Sequence, residues 1–558
     1  MQEYKFKKLA NIGTSAAEDD NIYLTDCFCD NGYLEILQNI EDRRYILVGR
    51  TGVGKTALMQ KLKENYDHCI FIDANLSGFC YSERTTILDE MAKNGINLAP
   101  NLKYLWMHIF MVRVIQEIVP SNKKNTLIEW IKDKFAAPNA TKAAALDYIE
   151  KHKSEFWMET SQITKKVSED FTNEFEKSIS TDMDVRGQIG IVSSSAQLSG
   201  SISSSKSVSS SSQYEIQKKG FESVGRDLAE KISTIPEVIN CLMEEDRYKK
   251  ILYILIDRLD ESIVTDRFRF QSIRGLVDAA HEVNKCVPNL KIIVSIRSDM
   301  IGNIFEKIKI PGYQSEKIRD LFLPIYWTPE ELIDLANKRI AKLIKKTYEP
   351  KANVTFLEVF PEEVNIGNAF KEKTEEYILS RTWRRPRDII DFINQCLVEA
   401  EGETEITQEI IFSAEVAYSK TRMKSIQQEW EQTYPAIHYI TDSLSKLSLS
   451  FKANDFTDEI LLGITEKILA DTSLPECEEK EVFEDYRMNV YTEETRNFCL
   501  KVMYDIGVIG IKFKSNETIQ WSHIDYKSDY TVNDIRDDSP VNVHKALWPY
   551  YGFSNRIK

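Results

Sequence analysis

Residues 49 to 56 read Gly-Arg-Thr-Gly-Val-Gly-Lys-Thr, and a lysine and a hydroxyl behind three spaced glycines are the parts that hold a polyphosphate. Gly49, Gly52 and Gly54 permit backbone conformations and a close approach that a Cβ would block. Arg50, Thr51, Val53 and Ala57 complete the stretch, whose successive N–H groups at a helix N-terminus suit phosphate oxygens. Lys55 supplies a point charge for β- and γ-phosphates, and Thr56 offers a hydroxyl to Mg2+. A second stretch, residues 251 to 261, runs Ile-Leu-Tyr-Ile-Leu-Ile-Asp-Arg-Leu-Asp-Glu. Asp257 is expected in the Mg2+ shell, with Asp260 or Glu261 orienting or deprotonating an attacking water. The plain alternative is a strand end with solvated charges.

These groups meet only if strands and helices deliver them to one sheet edge. Ile46 to Val48 is a short apolar strand before the glycines, and "TALMQKLKENY" continues after them as an amphipathic helix. Residues 251–256 form the strand that ends at Asp257. A third strand, "LKIIVSIRSDM" (290–300), ends at Ser295, Arg297 and Asp299. Ser295 or Arg297 could sense a γ-phosphate; equally, Arg297 could form an ordinary salt bridge. "HCIFIDAN" (68–75) completes the sheet with Asp73 at its end. The fold class expected is α/β, a P-loop NTPase core with a parallel sheet, a helical insertion, a helical lid and a C-terminal winged-helix-like domain.

Together, "GRTGVGKTAL", "ILIDRLDE", "IVSIRSDM" and "RTWRRPRDIIDFINQC" resemble the bacterial P-loop ATPases related to the AAA, KAP and STAND (NACHT-like) branches. The likeness covers residues 20–120 and 240–400, and weakly the C-terminus. It implies that Arg297 is the sensor and that Arg384, Arg385 or Arg387 meets the nucleotide from a helical lid. Arg258 departs from the pattern, since KAP-like members place a second aspartate there and NACHT-like members often glycine. The choice between Asp260 and Glu261 therefore stays open. Members of these branches are commonly ATP-dependent switches that oligomerise, and many sit in bacterial anti-phage defence operons beside an effector. ATP is expected rather than GTP, because the Asn-Lys of "LANKRIAK" lacks the aspartate of guanine recognition and lies in a helical pattern.

The organisation expected is an ATPase core at 1–120 and 216–328, a helical insertion at 121–215, a lid at 329–431 and the winged-helix-like segment at 432–558. Residues 188–215 are rich in Ser and Gly and read as a flexible linker or, by weak alternation, a hairpin. "PEELIDLANKRIAKLIKK" opens with proline and acids as a helix should. In "RRPRDIIDFINQCLVEAE", Ile389, Ile390, Ile393 and Leu397 share one face. The basic run ahead of that face would touch phosphate, a partner or only solvent. Further on, "RNFCLKVMYDIGVIG" precedes two expected strands, "IGIKFKSN" and "TIQWSHID".

Composition narrows the function classes. A net charge of −15 argues against non-specific coating of nucleic acid. Nine cysteines lack any C-x-x-C pair, and seven histidines are dispersed without a cluster, so no metal site on those residues is expected. "YLWMHIFMVRVIQEIV" is broken by Arg113 and Glu117, so it reads as a buried helix rather than a membrane span. The charged N-terminus does not resemble a signal peptide, which makes the cytoplasm the default location. The expected function is an ATP-hydrolysing, self-assembling switch that regulates an effector protein; the alternative is a DNA-acting loader or initiator using the winged helix.

Overall fold

Runs of apolar and β-branched residues buried on both faces make the strands of a parallel sheet, whereas stripes three and four residues apart make the helices. The computed structural model describes residues 5–73, 98–119, 126–134, 140–160, 231–243, 251–259, 266–301, 318–348, 354–367, 370–489, 492–514, 517–524 and 530–553, with isolated positions at 162–170 and 304. Asp260, Glu261 and the Ser-rich stretch lie outside these. The chain divides into two units: Met1–Asn31, Gly49–Ala57 and Ile325–Lys558 in one, Gly32–Val48 and Leu58–Pro324 in the other.

The sheet belongs to the second unit. Its strands are β1 (Ile46–Val48), β2 (Cys69–Asp73), β3 (Leu252–Asp257), β4 (Leu290–Ile296) and β5 (Phe322–Pro324), all parallel in the order β2-β3-β4-β1-β5. β3 and β4 are buried along their whole length, as an interior parallel sheet requires. That burial includes Lys291, whose ammonium donates to the carbonyls of Ile36 (3.2 Å) and Asn39 (2.5 Å). Burial pushes its pKa down to about 8.

Helix α1 (Lys55–Asn65) follows the glycine-rich loop; α2 (Ala99–Ile118), α3 (Ala140–His152) and α4 (Asp266–Cys286) complete the elements used below. α2 is the expected buried helix, with Trp106, Phe110 and Val114 in the core. It packs on α4 at Gly275, where a Cβ would stand 2.7 Å from Leu102 Cβ. Among the described residues no helix is long and apolar enough to cross a membrane.

The first unit is mostly helical. α5 (Pro329–Thr347) starts in a capping box between Thr328 and Glu331 and buries Leu332, Leu335, Ile340 and Leu343. α6 (Pro386–Glu399) and α7 (Gln408–Trp430) pack together, with β6 (Glu363–Gly367) and β7 (Phe370–Lys373) forming a hairpin ahead of them. The C-terminal part joins α8 (Asp458–Ala470), α9 (Glu478–Asn489) and α10 (Thr492–Asp505) to a three-stranded antiparallel sheet. Its strands are β8 (Ser450–Lys452), β9 (Ile509–Ile511) and β10 (Pro540–Val543), in the order β8-β10-β9. Among the described residues 518–524 the expected strand does not form: Gln520 makes one bridge to Ile511, and β10, with Val541 and Val543 buried, is the neighbour of β9.

Candidate functional site

The loop after β1 owes its shape to glycines in the left-handed region, Gly52 at φ +81° and Gly54 at φ +99°. Over Gly52 the lid approaches so closely that a Cβ would meet Arg387 Cβ at 2.8 Å, while over Gly54 the nearest atom, on the Trp327 ring, is 4.0 Å away. The Val53 N–H closes on the Arg50 carbonyl, and α1 begins at Lys55. Lys55 Nζ donates back to the carbonyls of Gly49 (2.8 Å) and Arg50 (3.1 Å), so its charge lies against the loop itself. Thr56 and Ala57 occupy the next two positions of that helix. The Thr51 hydroxyl is buried and has no hydrogen-bond partner. The Gly54 face, with the Trp327 ring 4.0 Å away, the Lys55 ammonium and the Thr51 hydroxyl are the groups here that could receive a phosphate-bearing ligand.

The rest of the first unit holds this loop residue by residue. The Arg50 guanidinium donates to the Asp505 carbonyl and to Ser522 Oγ (2.9 Å) and lies over the Trp430 ring. The Thr51 carbonyl accepts from Arg385 Nη1 at 2.7 Å, the Gly52 carbonyl from the Arg387 N–H at 3.3 Å, and the Val53 carbonyl from Trp327 Nε1 at 2.8 Å. Of the three lid arginines, Arg385 and Arg387 therefore meet the loop backbone. Arg384 is exposed and carries the strained φ of +51° that turns the chain into α6.

Arg385 is itself buried in an ion-pair network that sequence reasoning missed. It grips Asp388 through Nε (2.8 Å) and Nη2 (3.2 Å), and Asp388 also accepts the Trp383 N–H. Arg422 and Glu429 on α7 complete the network. Burial alone would raise the Asp388 pKa, but the two guanidiniums outweigh it and hold the pKa near 2. The signals were present as an arginine and aspartate three apart in "RPRD", and an arginine and glutamate seven apart on α7. Trp383 extends the network toward the C-terminus. Its Nε1 donates to the Gly507 carbonyl, and its ring stacks on His544 at 4.2 Å.

In the second unit, parallel register brings the strand ends to one edge. Val48 pairs with Ile296, and Asp73 pairs with Asp257. Asp257 is buried, as is Ser295 on β4. Arg258, the departure noted above, stands at φ +60° and donates to Asp73 at 3.2 Å, so its unusual side chain pairs with the neighbouring strand's carboxylate. Arg297 forms a two-pronged ion pair with Asp299, both contacts at 3.0 Å.

Residues 330–427, from α5 into α7, match the family model of the FunZ-associated C-terminal helical domain. The chain is also similar to a protein of Escherichia coli (strain K12) assigned to transposon gamma-delta as its 80.3 kDa protein, at 23% identity. That match takes in 96% of this chain and 66% of the relative, so the chain spans just under two thirds of the relative's length.

Proposed function

We propose that the chain binds and hydrolyses ATP with Mg2+ at residues 49–57, and that the nucleotide state governs self-assembly and control of a partner protein, in the manner of the AAA, KAP and STAND branches. The observation that carries this is the loop itself: a full Gly-x-x-x-x-Gly-Lys-Thr stretch between β1 and α1, with four consecutive residues tied to Trp327, to Arg385 and Arg387 and to the C-terminal segment. In this reading Lys55 leaves the Gly49 and Arg50 carbonyls for the β- and γ-phosphates. By the resemblance, Thr56 and Asp257 would hold the Mg2+, and Asp260 or Glu261 would manage the water's proton. Mg2+, when bound, would neutralise phosphate charge. Arg297 would have to exchange Asp299 for a phosphate to act as sensor. A role in anti-phage defence is part of the proposal and rests on resemblance alone.

A second reading, a DNA-acting ATPase, is favoured by the name of the transposon relative. The C-terminal strands in the order β8-β10-β9 beside α8–α10 suit a winged helix. Against it, α10 buries Arg496, which pairs with Asp537 at 2.7 Å, and its first turn carries Glu493 and Glu494. That helix offers little to a phosphate backbone.

The test is ATP binding and turnover by the wild type, Lys55→Ala and the double variant Asp260→Asn, Glu261→Gln, with mass photometry in ADP or a slowly hydrolysed analogue, with and without duplex DNA. Binding lost in the first variant, and binding kept without turnover in the second, is the expected pattern. Assembly requiring DNA would favour the second reading.

A further inference from the structure

Two of the seven histidines, distant in sequence, come together far from the loop in sequence and chemistry. His108 lies in the middle of α2, His152 ends α3, and Glu155 follows three residues later. The Glu155 carboxylate is almost wholly buried, and its two oxygens have separate tasks. Oε1 takes Lys166 Nζ at 2.6 Å, while Oε2 faces His108 Nε2 at 2.7 Å and His152 Nδ1 at 3.1 Å. One ligand atom from each of His108, His152 and Glu155 lies within 4.8 Å of the others. Behind them His108 Nδ1 contacts the Tyr148 hydroxyl at 3.0 Å, which in turn contacts Tyr104 at 3.2 Å.

We infer that His108, His152 and Glu155 form a three-ligand site for a divalent transition metal of the zinc kind. Two imidazole nitrogens and a carboxylate oxygen are the donor set such ions take, at roughly 2.0–2.2 Å each, leaving a fourth position for water or a ligand. Tetrahedral bonds of that length put ligand atoms about 3.3 Å apart, so His152, at 3.1 Å from Glu155 Oε2, is near that spacing, while His108, at 2.7 Å, would have to draw back to admit the ion. The second observation is a pair of buried nitrogens with no hydrogen-bond partner, His108 Nε2 and His152 Nε2. The former lies at ion-pair distance from the carboxylate, 2.7 Å, but outside hydrogen-bond alignment. Tyr148 stands where a metal-bound imidazole needs an acceptor for its other N–H, which would fix the His108 tautomer.

With Lys166 on Oε1, the carboxylate still has Oε2 for a cation. The ion would brace α2 against the end of α3.

The experiment uses the full chain stripped with a chelator. Zn2+ is then titrated in excess Mg2+ against a chromogenic competitor, and Co2+ is added separately to read its absorption spectrum. The wild type should bind one tight equivalent of Zn2+ and give a Co2+ spectrum without an intense thiolate band. His152→Gln, at the least buried of the three positions, and Glu155→Gln should each weaken Zn2+ at least about 100-fold, the upper end of what loss of a mere supporting partner costs. Circular dichroism shows that the variants are folded, and Zn2+ should raise the unfolding temperature of the wild type alone. Equal binding by wild type and a folded variant, no tight equivalent, or a thiolate spectrum would each overturn the inference and leave an ion-pair network.

Discussion

Arg385→Gln is expected to cost stability well beyond that of an ordinary arginine, because the residue left behind is a buried aspartate. Asp388 is wholly buried and has three partners: the two-pronged Arg385 contact, Arg422 Nε at 3.4 Å and the Trp383 N–H at 3.1 Å. Breaking one side of a buried pair typically costs about 3–5 kcal/mol. Arg422 and the Trp383 N–H remain, which puts the charge effect at the lower end, ~3 kcal/mol. The Thr51 carbonyl also loses its 2.7 Å donor, adding about 1 kcal/mol. A total near 4 kcal/mol follows, read as the shift in urea unfolding monitored by tryptophan fluorescence, since Trp383 lies in the network. Asp388→Asn added to Arg385→Gln should recover about 1–3 kcal/mol, the usual coupling of groups in one network. A single-variant cost below about 1 kcal/mol, or strict additivity in the double variant, would refute the network as a stabilising unit.

Lys55→Ala should abolish nucleotide binding or weaken it severely, as equilibrium binding of a fluorescent ATP analogue would register. Gly52→Val should weaken the same binding about tenfold or more, because a side chain at φ +81° is strained by roughly 1–2 kcal/mol and would press on Arg387; an unchanged affinity would count against the loop geometry. Asp391 has its pKa raised to about 6, first by burial and then by the nearby Asp388 charge. The folded chain therefore holds a proton there more readily than the unfolded one, and stability falls as pH rises from about 4 through 6. Asp391→Asn should flatten that decline and stabilise the protein at pH 8 by about 1–2 kcal/mol, measured by urea unfolding across pH; a wild-type curve that rises through that window would contradict the assignment.

The elements that carry their own periodicity were readable. Residues 251–256 are a continuous apolar run and 290–296 an apolar run interrupted by Lys291 and Ser295, and they became the two fully buried strands; "PEELIDLANKRIAKLIKK" announced both its cap and its buried face. What stayed hidden was every pairing that depends on tertiary closure. Nothing local in "GRTG" says that Arg50 will reach Ser522, or that the carbonyl of Thr51 will find Arg385. β10 was missed because Pro540 and Asn542 break a strand-like pattern, and only its place between β8 and β9 makes Pro-Val-Asn-Val a strand. The His108–His152–Glu155 cluster shows the same limit. His152 and Glu155 have a helical i, i+3 spacing, but the third member comes from another helix.

The anchoring of the loop bears on how a switch could work. Arg50, Thr51, Gly52 and Val53 are held by the 505–522 segment, by Arg385, by Arg387 and by Trp327 respectively. Lys55 meanwhile satisfies two loop carbonyls that it must release if it is to meet a phosphate. A ligand shifts an equilibrium only as far as its affinities for the two states differ. Any state in which Lys55 turns outward leaves the Gly49 and Arg50 carbonyls to find other donors, and Arg50 is the residue whose guanidinium is tied to the C-terminal segment. The loop backbone and that segment thus share one residue. On the proposed reading, a phosphate that drew Lys55 from the Arg50 carbonyl would act on the same residue whose guanidinium is tied to the C-terminal segment.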